Sequence, residues 1–250
     1  MIMLVVGMIL ATPALACPAG TSCTAENKLK AVDGYSEVTG MEKDEAILFA
    51  SNLKDVKTLS NNQSIEALKQ FSDYTKVYSL ERKMEDGSTA HMKAVILPTE
   101  LDINEDKELK STYVVALWND ANTTNKDVRA MRYSSILKDG HLKELTFGRV
   151  DNNGKILEEL LVSNGSAVEN RTGEFTSDSL SPYWSCVIET ISGDCLCLFL
   201  GDYCPPGLPS ICDFCQPLFP ACYEFPSQVT CGALAACLGI EILYAMYQCY

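Results

Sequence analysis

Apolar positions change their spacing along the chain, and each change marks a different kind of element. After Thr39, which forms a Thr-x-x-Glu capping-box signature with Glu42, the residues Ala46, Ile47, Phe49, Ala50 and Leu53 recur at helical spacing on one face. A shorter helix is predicted from Ser64, with Ile65, Leu68 and Phe71 apolar. From Tyr74 the period drops to two. Segments 74–84 and 88–97 flank Glu85-Asp86-Gly87, a hairpin signal, and further strands are predicted over 112–118, 128–134, 142–150 and 155–162. Asn152-Asn153-Gly154 and Asn164-Gly165 supply turns suited to positive φ. Residues 24–171 therefore read as α+β, two helices followed by an antiparallel meander.

The period is lost at the C-terminus. From Thr230, a candidate cap, to Cys249 the chain is apolar nearly all round, and Glu241 is its sole charge. The 19 residues from Cys231 to Cys249 make about 28 Å of helix at 1.5 Å per residue. An all-round apolar helix is either buried or membrane-seeking. The cysteines at its ends favour a helix wrapped by cysteine-linked loops; the rival is a helix that enters a target bilayer. Either way, Leu234, Leu238, Ile242 and Met246 form its expected membrane or partner contact.

Cysteine usage sharpens this boundary. Ten of the 12 cysteines fall within the 64 residues from Cys186 to Cys249: Cys186, Cys195, Cys197, Cys204, Cys212, Cys215, Cys222, Cys231, Cys237 and Cys249. So short a segment buries too small a core to be comfortably stable alone, and five bridges are the expected remedy. Their connectivity is open. Zinc would need paired Cys-x-x-Cys units or histidines, whereas only Cys212 and Cys215 have that spacing and the segment lacks His. A redox dithiol at Cys212 and Cys215 lacks the surrounding βαβ pattern. Structural disulfides are the stronger reading, giving a small, partly helical, disulfide-rich domain.

Domain limits follow: a signal peptide over 1–16, an α+β domain over 17–171, a polar linker over 172–184 and the apolar cysteine domain over 185–250. Ile2 to Ala11 is an apolar run, and Ala14-Leu15-Ala16 is an A-x-A cleavage signature. Plain cleavage is expected rather than lipidation at Cys17, because Ala14 stands where lipoprotein signals usually carry Leu. Cys17 and Cys23 complete the disulfide candidates. Export also supplies the oxidising surroundings that bridges need, so the chain is expected to be secreted, either released or held at the cell surface. A net charge of −13 and a pI of about 4.6 offer no basic stripe for nucleic acid. The segment from Cys186 onward has six acidic residues and no basic one.

Motifs for catalysis are missing. No Gly-x-Ser-x-Gly, Walker, His-Glu-x-x-His or Rossmann pattern occurs, and His91 and His141 stand alone in their segments. Asp151 to Gly154 and Asn104 to Asp106 lack EF-hand spacing, so turn chemistry explains them better than calcium. The chain reads as a non-enzyme without a cofactor.

An export signal ending Ala14-Leu15-Ala16, a long polar N-terminal domain and an acidic, apolar ten-cysteine block together resemble the precursors of cysteine-rich microhalocins, bacteriocin-like peptides of archaea. The chain departs from that pattern in Cys17 and Cys23 and in the prolines at 205, 206, 209, 217 and 220. The resemblance implies cleavage after export, a C-terminal antimicrobial peptide held by the ten cysteines from Cys186 to Cys249, and an N-terminal immunity domain that sequesters it. The implied partners are the chain's own two parts and a target-cell membrane or receptor. The competing expectation is a secreted or cell-surface cysteine-rich binding module that is never processed, and a thiol oxidoreductase at Cys212 and Cys215 is the third.

Overall fold

A computed structural model describes residues 36–83, 87–104, 108–120, 128–138, 141–167, 182–194, 222, 224 and 227–249. The expected signal peptide, most of the linker, and Cys17, Cys23, Cys195, Cys197, Cys204, Cys212 and Cys215 lie outside them. The described chain is mixed α+β, with helices on both faces of one large antiparallel sheet.

Helix α1 spans Gly40–Asn52. Thr39 is its extended N-cap residue, but its side chain makes no capping hydrogen bond. Glu42 instead reaches Lys93 in the sheet, 3.2 Å away, so a tertiary ion pair replaces the expected capping box. The apolar run through Leu53 does not stay in one helix. Leu53 is extended, with ψ of 136°, and starts α2 over Lys54–Leu59. This break turns Val56 and Leu59 into the same core that Ala46 and Ala50 enter. Helix α3 spans Ile65–Lys69, and the Ser64 hydroxyl accepts from the Ala67 N–H at 3.2 Å, as an N-cap should. A 3₁₀ turn at Ser72–Tyr74 leads into the sheet.

The sheet has eight strands in sequential order: β1 Ser36–Glu37, β2 Lys76–Lys83, β3 Thr89–Ile103, β4 Glu108–Asn119, β5 Val128–Lys138, β6 His141–Val150, β7 Ile156–Ser163 and β8 Ser166–Ala167. Every neighbouring pair is antiparallel, the topology that hairpin connections permit. Each expected strand has its counterpart, with β3, β4 and β5 extending several residues further. Pro98, which cannot donate to the ladder, sits where the β3–β4 register shifts.

Turn chemistry accounts for the acidic loop after β6. The Asp151 carboxylate accepts from the N–H groups of Asn153 and Lys155, both at 2.8 Å, and Gly154 takes φ of +81°. The Lys155 N–H contributes most to holding the Asp151 carboxyl below its ordinary pKa, and Asn153 adds to it. Asn164 and Gly165 both adopt positive φ between β7 and β8.

Both faces of the central strands are buried. Val95, Leu97, Val114, Ala116 and Trp118 face α1 and α2. Met92, Ala94, Ile96, Tyr113, Val115 and Leu117 face the C-terminal helices, α4 over Pro182–Asp194 and α5 over Gln228–Cys249. Helix α4 takes up the last three residues of the expected linker. Helix α5 begins ahead of Thr230, and Ser227 is its capping residue. The Thr230 N–H donates to Ser227 Oγ and the Ser227 N–H to Thr230 Oγ1, each at 3.1 Å, which is the reciprocal pattern of a capping box.

Candidate functional site

The described feature with most chemistry is the seam where α5 lies on the sheet. Helix α5 packs on β3, β4 and β5 and against α4. Leu234 and Met246 are fully buried there, and Leu238 and Ile242 almost so. Fully burying one such side chain contributes roughly 1.5–3 kcal/mol. The sheet face therefore lies against the apolar contact residues read from sequence. Among the described residues α5 is the one helix long and apolar enough to cross a membrane by length and composition, and 71% of that stretch is buried within the protein.

Two tyrosines organise the middle of the seam. Tyr113 on β4 and Tyr133 on β5 are direct register partners, and their rings stack at 5.2 Å and 2°. Tyr133 donates its hydroxyl to the Ala235 carbonyl at 2.8 Å, and Tyr113 to the Gly232 carbonyl at a longer 3.4 Å. Both carbonyls belong to the helix backbone, so the sheet contacts α5 through main-chain atoms as well as side chains. Burial pushes the Tyr113 phenol well above its ordinary pKa, with a smaller contribution from Tyr74. The hydroxyl stays a neutral donor in its apolar setting.

Helix and sheet approach closely because two helix positions lack side chains. A Cβ at Gly232 would sit 2.9 Å from the Tyr74 ring, and one at Gly239 would sit 2.7 Å from Ile96 Cγ2 and 2.8 Å from the Tyr133 hydroxyl. Seven residues apart, these glycines share one face of the helix. Ala235 and Ala236 continue that face of small residues, and both are buried.

The C-terminal end of α5 is held by polar groups. Arg82 on β2 donates to the Tyr247 carbonyl at 2.5 Å and lies 5.5 Å above the Tyr247 ring, whose hydroxyl donates back to the Glu81 carbonyl at 2.9 Å. Tyr183 of α4 donates to the Met246 carbonyl at 3.2 Å. These donors satisfy last-turn carbonyls that have no partner within a helix, and the arginine charge complements the helix dipole. The Cys186–Cys249 disulfide clips α4 to the end of α5, and Cys222–Cys231 closes a loop at its start. Cys237 is also disulfide-bonded. Val187, Ile188 and Ile191 bury the inner side of α4 against the same core.

Among the described residues no group of three or more His, Cys, Asp or Glu is placed to hold a metal. His91 stands near Glu81, 3.4 Å away, on the exposed side of the β2–β3 ladder. The pattern reading reached Leu234, Leu238, Ile242 and Met246 but missed Tyr113, Tyr133, Gly232, Gly239, Arg82 and Tyr247. One signal for the seam was present. Residues 94–97 and 114–118 are apolar without alternation, the mark of a strand covered on both faces.

Comparison with known proteins adds no relative: no family model, no curated protein and no solved structure matches the chain.

Proposed function

We propose that the chain is an exported precursor of a bacteriocin-like antimicrobial peptide. Its C-terminal part is a small disulfide-rich, partly helical toxin, and its N-terminal α+β part is a leader that masks the toxin and confers immunity. One observation carries the reading. The membrane-length apolar helix is buried on the sheet, while the Cys186–Cys249 and Cys222–Cys231 bridges lie inside the C-terminal segment. On this reading the remaining bridges, that of Cys237 included, close within the same segment, so a single backbone cut between residues 172 and 181 leaves two parts held by non-covalent contact alone. The sheet would then serve as the cover of a releasable helix pair.

Charge constrains the mode of killing. A segment with six acidic residues and no basic one is repelled by anionic lipid, so the released peptide would act by apolar insertion or through a receptor. Killing should then persist in added salt.

A second reading is favoured by the shared core. The C-terminal helices and the sheet bury one continuous cluster, as a binding module that is never cut would. Mass spectrometry of culture supernatant separates the two. The precursor reading predicts a fragment that starts within 172–182, contains all ten C-terminal cysteines blocked to alkylation, and kills indicator cells. A secreted chain found only uncut would replace it with the binding module.

A further inference from the structure

We infer that the Gly232, Ala235 and Gly239 face of α5 and the Tyr113–Tyr133 pair with Ile96 on the sheet form a matched specificity determinant, by which the sheet accepts its own helix pair and rejects apolar helices lacking that spacing. This rests on the masking reading above and names what selects the masked partner.

Apolar contact alone does not discriminate, because a Leu-rich helix buries as much surface as α5. Discrimination needs a feature that penalises the wrong partner. The seam has two. The first is steric: one added carbon at Gly239 meets Ile96 Cγ2 at 2.7 Å, on a buried β-branched side chain, and the Tyr133 hydroxyl at 2.8 Å, on a buried ring stacked against Tyr113. The second is polar. The Tyr133 and Tyr113 hydroxyls donate to the carbonyls of Ala235 and Gly232, which are reachable because the flanking helix positions are small. A helix with bulky residues there would stand away from the sheet and leave two buried hydroxyls without acceptors. The closeness and the hydrogen bonds therefore fail together.

The test uses the full chain carrying a protease site at residues 174–179, cut under non-reducing conditions and diluted through size-exclusion chromatography. The cut wild-type chain is expected to co-elute. Gly239→Ala is expected to raise the dissociation constant of the cut halves about tenfold or more, the usual scale of an overpacked contact. In a sheet already carrying Ile96→Ala and Tyr133→Phe, which lacks both clashing groups and itself binds more weakly, adding Gly239→Ala is expected to raise the dissociation constant by less than about threefold. Should uncut Gly239→Ala lose its near-ultraviolet circular dichroism, the uncut triple variant and its Ile96→Ala, Tyr133→Phe parent carry the test, since the inference requires the two to unfold at about the same urea concentration. Cut wild-type halves that separate at once would overturn the masking reading. Co-elution of Gly239→Ala indistinguishable from wild type would overturn the inference alone, as would a Gly239→Ala penalty as large in the Ile96→Ala, Tyr133→Phe background as in the wild-type sheet.

Discussion

The two faces of the sheet are covered in different ways. On one lie three short helices, with apolar residues left in water at Met41 and Leu48 and with charged side chains as the ties. Lys93 reaches Glu42 and Asp120, Arg132 pairs with Glu158 and donates to the Leu59 carbonyl, and Lys43 donates to the Ser72 carbonyl. On the other face lie α4 and the 22-residue α5, neither with a Lys or Arg, tied by tyrosine hydroxyls, arginines from the sheet and disulfides. The first cover is local in sequence and grows from the chain that enters the sheet. The second arrives from the far end, across residues 168–181, so its attachment depends on the quality of the seam. Long-range steering cannot supply it, because both parts are acidic.

Loss of the bridges comes first. Cys186 and Cys249 are 63 residues apart, so replacing both with Ala removes about 4 kcal/mol of stability on the chain-entropy account, against about 2–3 kcal/mol for Cys222 and Cys231, nine apart. Denaturation midpoints of the two double variants check the order. Equal losses would mean the long bridge does not restrain the unfolded chain.

Truncation in the two covers comes next. Leu243→Ala, in the fully buried seam, should lose about 2–5 kcal/mol, while Leu48→Ala, half exposed on α1, should stay within about 0.5 kcal/mol. Comparable losses in urea titrations would erase the distinction between the faces. Smaller again is the polar part of the seam. Tyr133→Phe should lose about 1 kcal/mol and Tyr113→Phe less, following their 2.8 and 3.4 Å hydrogen bonds.

The smallest effect belongs to the charged cover. Burial alone would lower the Lys93 pKa, but hydrogen bonds and charge from Glu42 and Asp120 outweigh it and raise the value. A raised lysine pKa means the folded state holds the proton more tightly than the unfolded one. Its stabilisation is then fully present below the ordinary lysine pKa of about 10.4 and is lost as pH rises through the higher folded value. Relative to Lys93→Met, wild type should keep an advantage of up to about 1 kcal/mol at neutral pH that shrinks in strong alkali. An advantage that does not change in alkali would assign it to packing by the lysine stem.

Much of the sheet was legible because its turns announce themselves. Gly154, Asn164 and Gly165 all take positive φ, and the period of two survives in β5. The break at Leu53 was hidden, since the helical spacing runs through it and only packing against the sheet selects two short helices. The capping box at Thr39 was misleading for a related reason, because Glu42 finds Lys93 in the folded chain. The helix start shifted too, with Ser227 capping where Thr230 was expected. At the seam, the apolar residues of α5 were readable and their partners were not. Tyr113 meets Tyr133 only through strand register, and Arg82 meets Tyr247 across 165 positions. Gly232 and Gly239 look like weak helix formers in sequence, and their use appears only when a Cβ is placed against the sheet.

The central claim is that the sheet hides an apolar helix pair and holds it by non-covalent contact. Flotation of the non-reduced protein with neutral phosphatidylcholine vesicles, before and after a cut within residues 174–179, tests this most directly. The account predicts that the intact chain stays with the aqueous fraction, while dilution of the cut chain sends the C-terminal fragment to the vesicles and leaves the sheet part in solution. An intact chain that floats as readily as the cut one, or a cut chain whose fragment never reaches the vesicles at any dilution, would contradict it.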